Sequence, residues 1–172
     1  MEVAVWDIET SNLKADFAVL LCAGIKPVGK EPIMLYRGRS GINDKKLAYS
    51  IKIELEKYDI LVGYYTLGFD LKFLNIPLLY WGYEPLRPKF HIDVYRIARQ
   101  LFNISNRRLA TVAHFLKIEG KDHVEGELWM KAALEGDKEA IMRIIDHCKR
   151  DTEVLEKVFN RIKGTLRGIS KT

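Results

Sequence analysis

The segment Val3-Ala-Val-Trp-Asp-Ile-Glu9 constrains this chain more than any other. Side chains alternate faces along a strand, so Val3, Val5, Asp7 and Glu9 share one side while Ala4, Trp6 and Ile8 share the other. Both sides begin apolar, which is the pattern of a central strand covered on both faces. Trp6 accordingly reads as core. Asp7 and Glu9 then sit about 6.5–7 Å apart along one face, where the strand ends. Two carboxylates at the end of a buried strand repel each other and lose hydration, and a nearby cation relieves both costs. A solvated strand end is the alternative, and a D-x-E pair alone is too common to decide.

A second carboxylate is out of place near the other end of the chain. The residues Ile141, Ile144, Ile145, Cys148, Leu155, Val158, Phe159 and Ile162 form an apolar stripe at helical spacing. Asp151 falls on that stripe, three residues after Cys148 and four before Leu155, so it should face the protein. Buried carboxylates are uncommon unless paired, hydrogen-bonded or bound to metal. His147, one turn earlier, can share the face of Asp151. A third candidate is Asp70, which follows the buried strand pattern Asp59-Ile-Leu-Val-Gly63 and a glycine-containing loop. Its ordinary explanation is a helix cap; its functional one is a carboxylate delivered to the sheet edge.

Between these points the chain reads as a strand at 2–9 and apolar stretches at 17–25 and 32–36 joined by short turns, an antiparallel meander. A helix follows at 43–57, then the strand at 59–63 and a short helix from about Asp70, interrupted at Pro77. A short strand at 90–92 leads to Asp93 as N-cap of a helix reaching Phe102. Helices are expected at 107–117, 125–135 and 138–163. The order predicts an α/β domain, a mixed sheet with helices packed on it.

The chain has 172 residues, 48% hydrophobic and 30% charged, enough core for one globular domain. A domain over residues 1–164 with a short basic tail at 165–172 is the expected division. No apolar stretch is long enough to span a bilayer. The chain opens at Glu2 directly into a strand pattern, without the regions of a signal peptide, so a cytoplasmic location is expected. Cys22 and Cys148 form no C-x-x-C pair and read as two buried, reduced thiols. The net charge is +5. Residues 94–118 carry Arg96, Arg99, Arg107, Arg108 and Lys117 with no acid, and Arg161, Lys163, Arg167 and Lys171 follow the last acid at Glu156. Such stripes suit a polyanion, with a merely solvated surface as the alternative.

Taken together, these residues resemble the DEDD superfamily of 3′→5′ exonucleases, especially the proofreading domain of family B DNA polymerases and its small stand-alone relatives. The family's first motif, a strand ending D-I-E-T, is matched by Asp7-Ile8-Glu9-Thr10. Its second, G-Y-N-x-x-x-F-D, aligns with Gly63-Tyr64-Tyr65-Thr66-Leu67-Gly68-Phe69-Asp70, where Tyr65 replaces asparagine. Its third, Y-C-x-x-D-x-x-L, is similar to His147-Cys148-Lys149-Arg150-Asp151-Thr152-Glu153-Val154, where His147 replaces tyrosine and Leu155 comes one place late. The resemblance implies a ribonuclease H-like fold with five or six strands, the first three antiparallel and the rest parallel.

The resemblance also implies chemistry. Two divalent ions, Mg²⁺ or Mn²⁺, would be held by Asp7, Glu9, Asp70 and Asp151, with Asp7 bridging both and Asp70 acting through water. Paired ions suit phosphodiester hydrolysis because one activates water while the other braces the leaving group. His147, with an ordinary value near 6.5, suits orienting or deprotonating the attacking water. Thr10, Tyr65, Phe69, Arg107 and Arg108 are the expected contacts to a single-stranded DNA or RNA 3′ end. Two other readings are a ribonuclease H-like endonuclease and a nucleic-acid binding module whose site has decayed. A pure protein-interaction domain leaves the matched acids unexplained.

Overall fold

The structure is a computed structural model that describes residues 1–38, 43–88, 90–120, 129 and 131–167, with 133, 134 and 167 described by backbone alone. Its centre is a five-stranded sheet in the order β3-β2-β1-β4-β5. The strands are β1 (Val3–Thr10), β2 (Leu20–Pro27), β3 (Ile33–Tyr36), β4 (Ile60–Gly63) and β5 (Phe90–Asp93). β1 pairs antiparallel with β2 and β2 with β3, while β1–β4 and β4–β5 are parallel. The mixed sheet and its switch from antiparallel to parallel match the expectation, with five strands among the described residues. Residues 15–17 form a 3₁₀ turn rather than the start of β2.

The alternation read in β1 explains the layering. Ala4, Trp6 and Ile8 join one core with Leu47, Ala48, Ile51 and Leu55 of α1 (Lys45–Leu55) and Phe73, Leu74 and Leu78 of α2 (Asp70–Tyr80). Trp6 is fully buried there. Val5 and Val62 face the opposite core, built from α3 (Val94–Leu101), α4 (Leu109–Phe115) and α5 (Lys138–Ile162). A third cluster joins Leu21 and Cys22 of β2 to Ala140, Ile144, Ile145 and Cys148 of α5. Each large apolar side chain so buried contributes roughly 1.5–3 kcal/mol, and α5 supplies many of them.

One glycine fixes how closely α5 lies on the sheet. Gly24 is the register partner of Asp7, and a Cβ there would meet Thr152 Cγ2 at 2.8 Å and the Cys148 carbonyl oxygen at 3.3 Å. A side chain at that position would push the helix away from the carboxylate strand.

Pro77 does not interrupt α2, contrary to the sequence expectation. Proline removes one N–H, the bond that would return to Phe73, yet the helix bonds on either side persist: Phe73 N–H to Phe69 O at 2.8 Å and Trp81 N–H to Pro77 O at 3.0 Å. The Pro77 ring is itself buried, so packing offsets the missing bond. Of the helix expected at 125–135, a single π-helical turn at Lys131–Glu135 and Trp129 are described; residues 125–128 and 130 lie outside the described residues. So does the end of the expected tail, 168–172. No helix among the described residues is long and apolar enough to cross a membrane.

Candidate active site

The site forms where β1 ends against the middle of α5. Asp7 and Glu9 project from the face of β1 that α5 covers, and a register shift follows between Glu9 and Thr10. Asp151 of α5 is only 9% exposed, as its place on the apolar stripe requires. His147 lies one turn away on the same face. Its Nε2 stands 3.8 Å from Glu9 Oε1 and 3.8 Å from Asp151 Oδ2, so one imidazole nitrogen lies near carboxylates from two elements.

Asp70 is the first residue of α2 but does not cap it, because its Oδ1 accepts the Ile8 N–H of β1 at 3.2 Å. The cap explanation therefore fails. The bond fastens Asp70 to the strand between Asp7 and Glu9 in sequence. The side chain is 4% exposed. Burial pushes its carboxyl up to about 7, and the Asp93 charge adds to that; hydrogen bonds from the Ile8 N–H and its own amide oppose the shift. A bound cation would reverse the balance in favour of the ionised form.

Asp7, Glu9 and Cys148 each place one potential ligand atom within 4.8 Å of the others. The thiol is the weak member of that set. Cys148 Sγ is 3.7 Å from the Asp7 carbonyl oxygen and 3.9 Å from Asp7 Oδ2, as a hydrogen-bond donor. Hydrogen bonding with Cys22, burial and the charges of Asp7 and Glu9 hold its pKa far above the ordinary thiol range. Without a cation the thiol is held in its protonated form, which makes it a poor ligand beside the two carboxylates. What remains is a set of hard carboxylate oxygens, which fits Mg²⁺ or Mn²⁺ better than a thiophilic metal. Cys22 and Cys148 are free and buried, as expected, but adjacent in space, which their separation in sequence conceals.

A cleft of about 440 Å³ opens from this cluster, lined by Asp7, Tyr64, Tyr65, Tyr95, Arg107, Arg108, Leu109 and Asp151. Tyr65 is half exposed and holds φ at +62°, unusual for a tyrosine. Asp93 stabilises that conformation by accepting the N–H groups of Tyr65 at 2.9 Å, Leu67 at 3.2 Å and Tyr95 at 3.1 Å. The expected α3 cap thus also organises the loop before α2. The Tyr65 ring packs edge-on against Tyr95 at 5.0 Å and lies over Gly68, where a Cβ would come within 2.4 Å of it. Arg107 is tied in through its carbonyl, which accepts the Tyr64 hydroxyl at 2.5 Å.

The remaining expected contacts sit apart from that cleft lining. Thr10 is buried and its hydroxyl donates to Asn12 O at 2.8 Å. Phe69 packs against the α1–α2 core and Phe73, with ring centroids 5.6 Å apart. Of three further residues beside the site, Tyr95 and Trp129 carried no sequence signal and Asp93 carried one only as a helix cap. Tyr95 lines the cleft from α3, Asp93 braces the loop, and Trp129 donates its indole N–H to Glu9 Oε2 at 3.1 Å.

The family model of the RNase_H superfamily matches residues 4–163. The chain belongs to that superfamily. An uncharacterized protein of Methanocaldococcus jannaschii is 30% identical to it, over 89% of this chain and 90% of that one. The family B DNA polymerase of the hyperthermophilic archaeon Pyrobaculum calidifontis superposes with a TM-score of 0.76 at 17% identity. That match covers 96% of this chain and 25% of the polymerase, so the chain spans a quarter of that protein's length. The likeness shows a ribonuclease H-like fold, as the sequence motifs imply.

Proposed function

We propose that this superfamily member is a metal-dependent 3′→5′ exonuclease acting on single-stranded nucleic acid. The observation that carries the reading is one arrangement: Asp7 and Glu9 from β1 meet His147 and Asp151 from α5 at the end of a cleft walled by Tyr65, Tyr95, Arg107 and Arg108. Asp7, Glu9, Asp151 and Asp70 would hold two divalent ions, Mg²⁺ or Mn²⁺. Bound there, the ions supply charge neutralisation for the phosphate and acidify water. They also relieve a like-charge repulsion worth about 4 kcal/mol per close pair at an effective dielectric near 20.

The chain's own residues do the rest. Nε2 of His147 takes the proton of the attacking water, and the carboxylates of Glu9 and Asp151 at 3.8 Å stabilise the resulting imidazolium. Arg107 and Arg108 take phosphate oxygens of the incoming strand. The exposed Tyr65 ring, backed by Tyr95, offers a stacking surface worth roughly 1–3 kcal/mol per base. Thr10 and Phe69, which lie outside the cleft lining, would contribute to the terminal-nucleotide pocket only if the strand extends past Asp7. Residues 1–164 would form the nuclease domain, 165–172 a basic tail, and the protein would act in the cytoplasm, where its two thiols stay reduced.

The reading is tested with 5′-labelled single-stranded DNA and RNA in Mg²⁺, Mn²⁺ or EDTA, beside Asp7→Ala. The expected result is a metal-dependent ladder shortening from the 3′ end and absent in the variant. Cleavage of a circular single strand would instead indicate an endonuclease. Binding without turnover under every metal would leave a binding module.

A further inference from the structure

Trp129 belongs to no motif, yet it touches two residues of the site. Its indole N–H donates to Glu9 Oε2 at 3.1 Å, and its ring meets the His147 ring edge-on at 5.9 Å and 83°. It is half-buried and packed against the cluster of Leu21, Cys22, Ile144 and Cys148, so the indole is held from behind by the core.

We propose that Trp129 is a positioning residue that fixes the Glu9 carboxylate for divalent-ion binding. The inference rests on the reading above that Glu9 holds such an ion. A glutamate side chain has three rotatable torsions, and a ligand free to rotate loses that freedom when an ion binds. The indole bond removes much of that freedom beforehand. It engages Oε2 while Oε1 faces His147 Nε2 at 3.8 Å, so the carboxylate is set between the indole and α5. The N–H also stabilises the ionised carboxylate beside Asp7, whose charge opposes it. Outer residues that orient metal ligands in this way typically account for 10- to 100-fold in affinity.

The molecule supplies its own control. Trp81 makes a bond of the same kind, indole N–H to Asp44 Oδ1 at 3.1 Å, well outside the site. Mn²⁺ binding is measured by calorimetry on the full chain, with Trp129→Phe and Trp81→Phe. Trp129→Phe keeps an aromatic ring at this position and removes the indole donor. The expected result is a Kd raised about tenfold in Trp129→Phe and unchanged in Trp81→Phe. At saturating Mn²⁺ the kcat of Trp129→Phe recovers to within about twofold of the parent, because the loss lies in ion affinity.

A measurement on the unaltered protein guards against a folding failure. Three indole N–H signals are expected in a ¹⁵N–¹H spectrum. Mg²⁺ should move the one from Trp129 and leave those of Trp6, buried on the opposite face, and Trp81 in place. Wild-type Mn²⁺ binding with an unaltered Kd in Trp129→Phe, or with three unmoved indole signals in Mg²⁺, overturns the role of Trp129 alone. No Mn²⁺ binding by the wild type overturns the metal-dependent reading and this inference with it.

Discussion

Replacing Asp70 with asparagine removes a charge but keeps the oxygen that accepts the Ile8 N–H. The structure fixes the sign of the result. The carboxyl is raised in the fold from an ordinary 3.8 to about 7, first by burial and then by the Asp93 charge. A group raised in this way contributes stability that is full below its unfolded value and is lost as pH climbs through its folded value. The complete linkage is about 4 kcal/mol, and about 2–3 kcal/mol of it falls between pH 5 and pH 8. Asparagine does not titrate and escapes that loss. In EDTA, therefore, Asp70→Asn should gain on the wild type as pH rises, by roughly 5–10 °C in Tm over that span for a domain of this size. Urea unfolding at pH 5, 6, 7 and 8 gives the same comparison in free energy. Saturating Mg²⁺ should shrink the difference at pH 8, because an ion stabilises the ionised aspartate and has less to hold in the variant. Parallel pH curves for the two proteins in EDTA would mean that Asp70 ionises in the fold as it does in the open chain, against the raised value.

Three further outcomes follow from the site. His147→Ala should lower kcat about 100-fold or more and remove the fall in rate on the acid side of neutrality; an unaltered pH–rate profile would show that His147 handles no proton. Arg107→Ala, or the same change at Arg108, should weaken binding to single-stranded oligonucleotides and reduce the dependence of log K on log salt by about one charge's worth; an unchanged slope would remove that arginine from the phosphate path. In Gly68→Ala the new Cβ would lie 2.4 Å from the Tyr65 ring, so the ring must move; KM should rise severalfold with kcat held within about twofold, and equal KM values would show that the ring does not contact substrate.

Much of this architecture was legible because it follows from periodicity. The two-sided apolar pattern of β1 gave its central place and the common face of Asp7 and Glu9. The stripe of α5 turned Asp151 inward and set His147 beside it, and the turn residues around 17–36 gave the antiparallel edge. Asp93 was readable as a cap, but not as the residue that holds the N–H of Tyr65 and Leu67 as well, because those contacts span 28 and 26 residues. Asp70 was ambiguous for the same reason: a cap is a local matter, whereas its bond to Ile8 crosses 62 positions. Pro77 misled because local propensity foresees the lost N–H but not the buried surface that offsets it. The Cys22–Cys148 contact and the Trp129–Glu9 bond carried no signal, since neither imposes a period or a spacing on the chain.

Hydrolysis by these carboxylates is tested directly by the fate of 5′-labelled single strands with Mn²⁺, for the wild type and for Asp7→Ala. A ladder receding from the 3′ end is expected in the first and intact strand in the second, with EDTA abolishing the ladder. Intact substrate in every metal, despite retained binding, would contradict it and leave these carboxylates without a hydrolytic role.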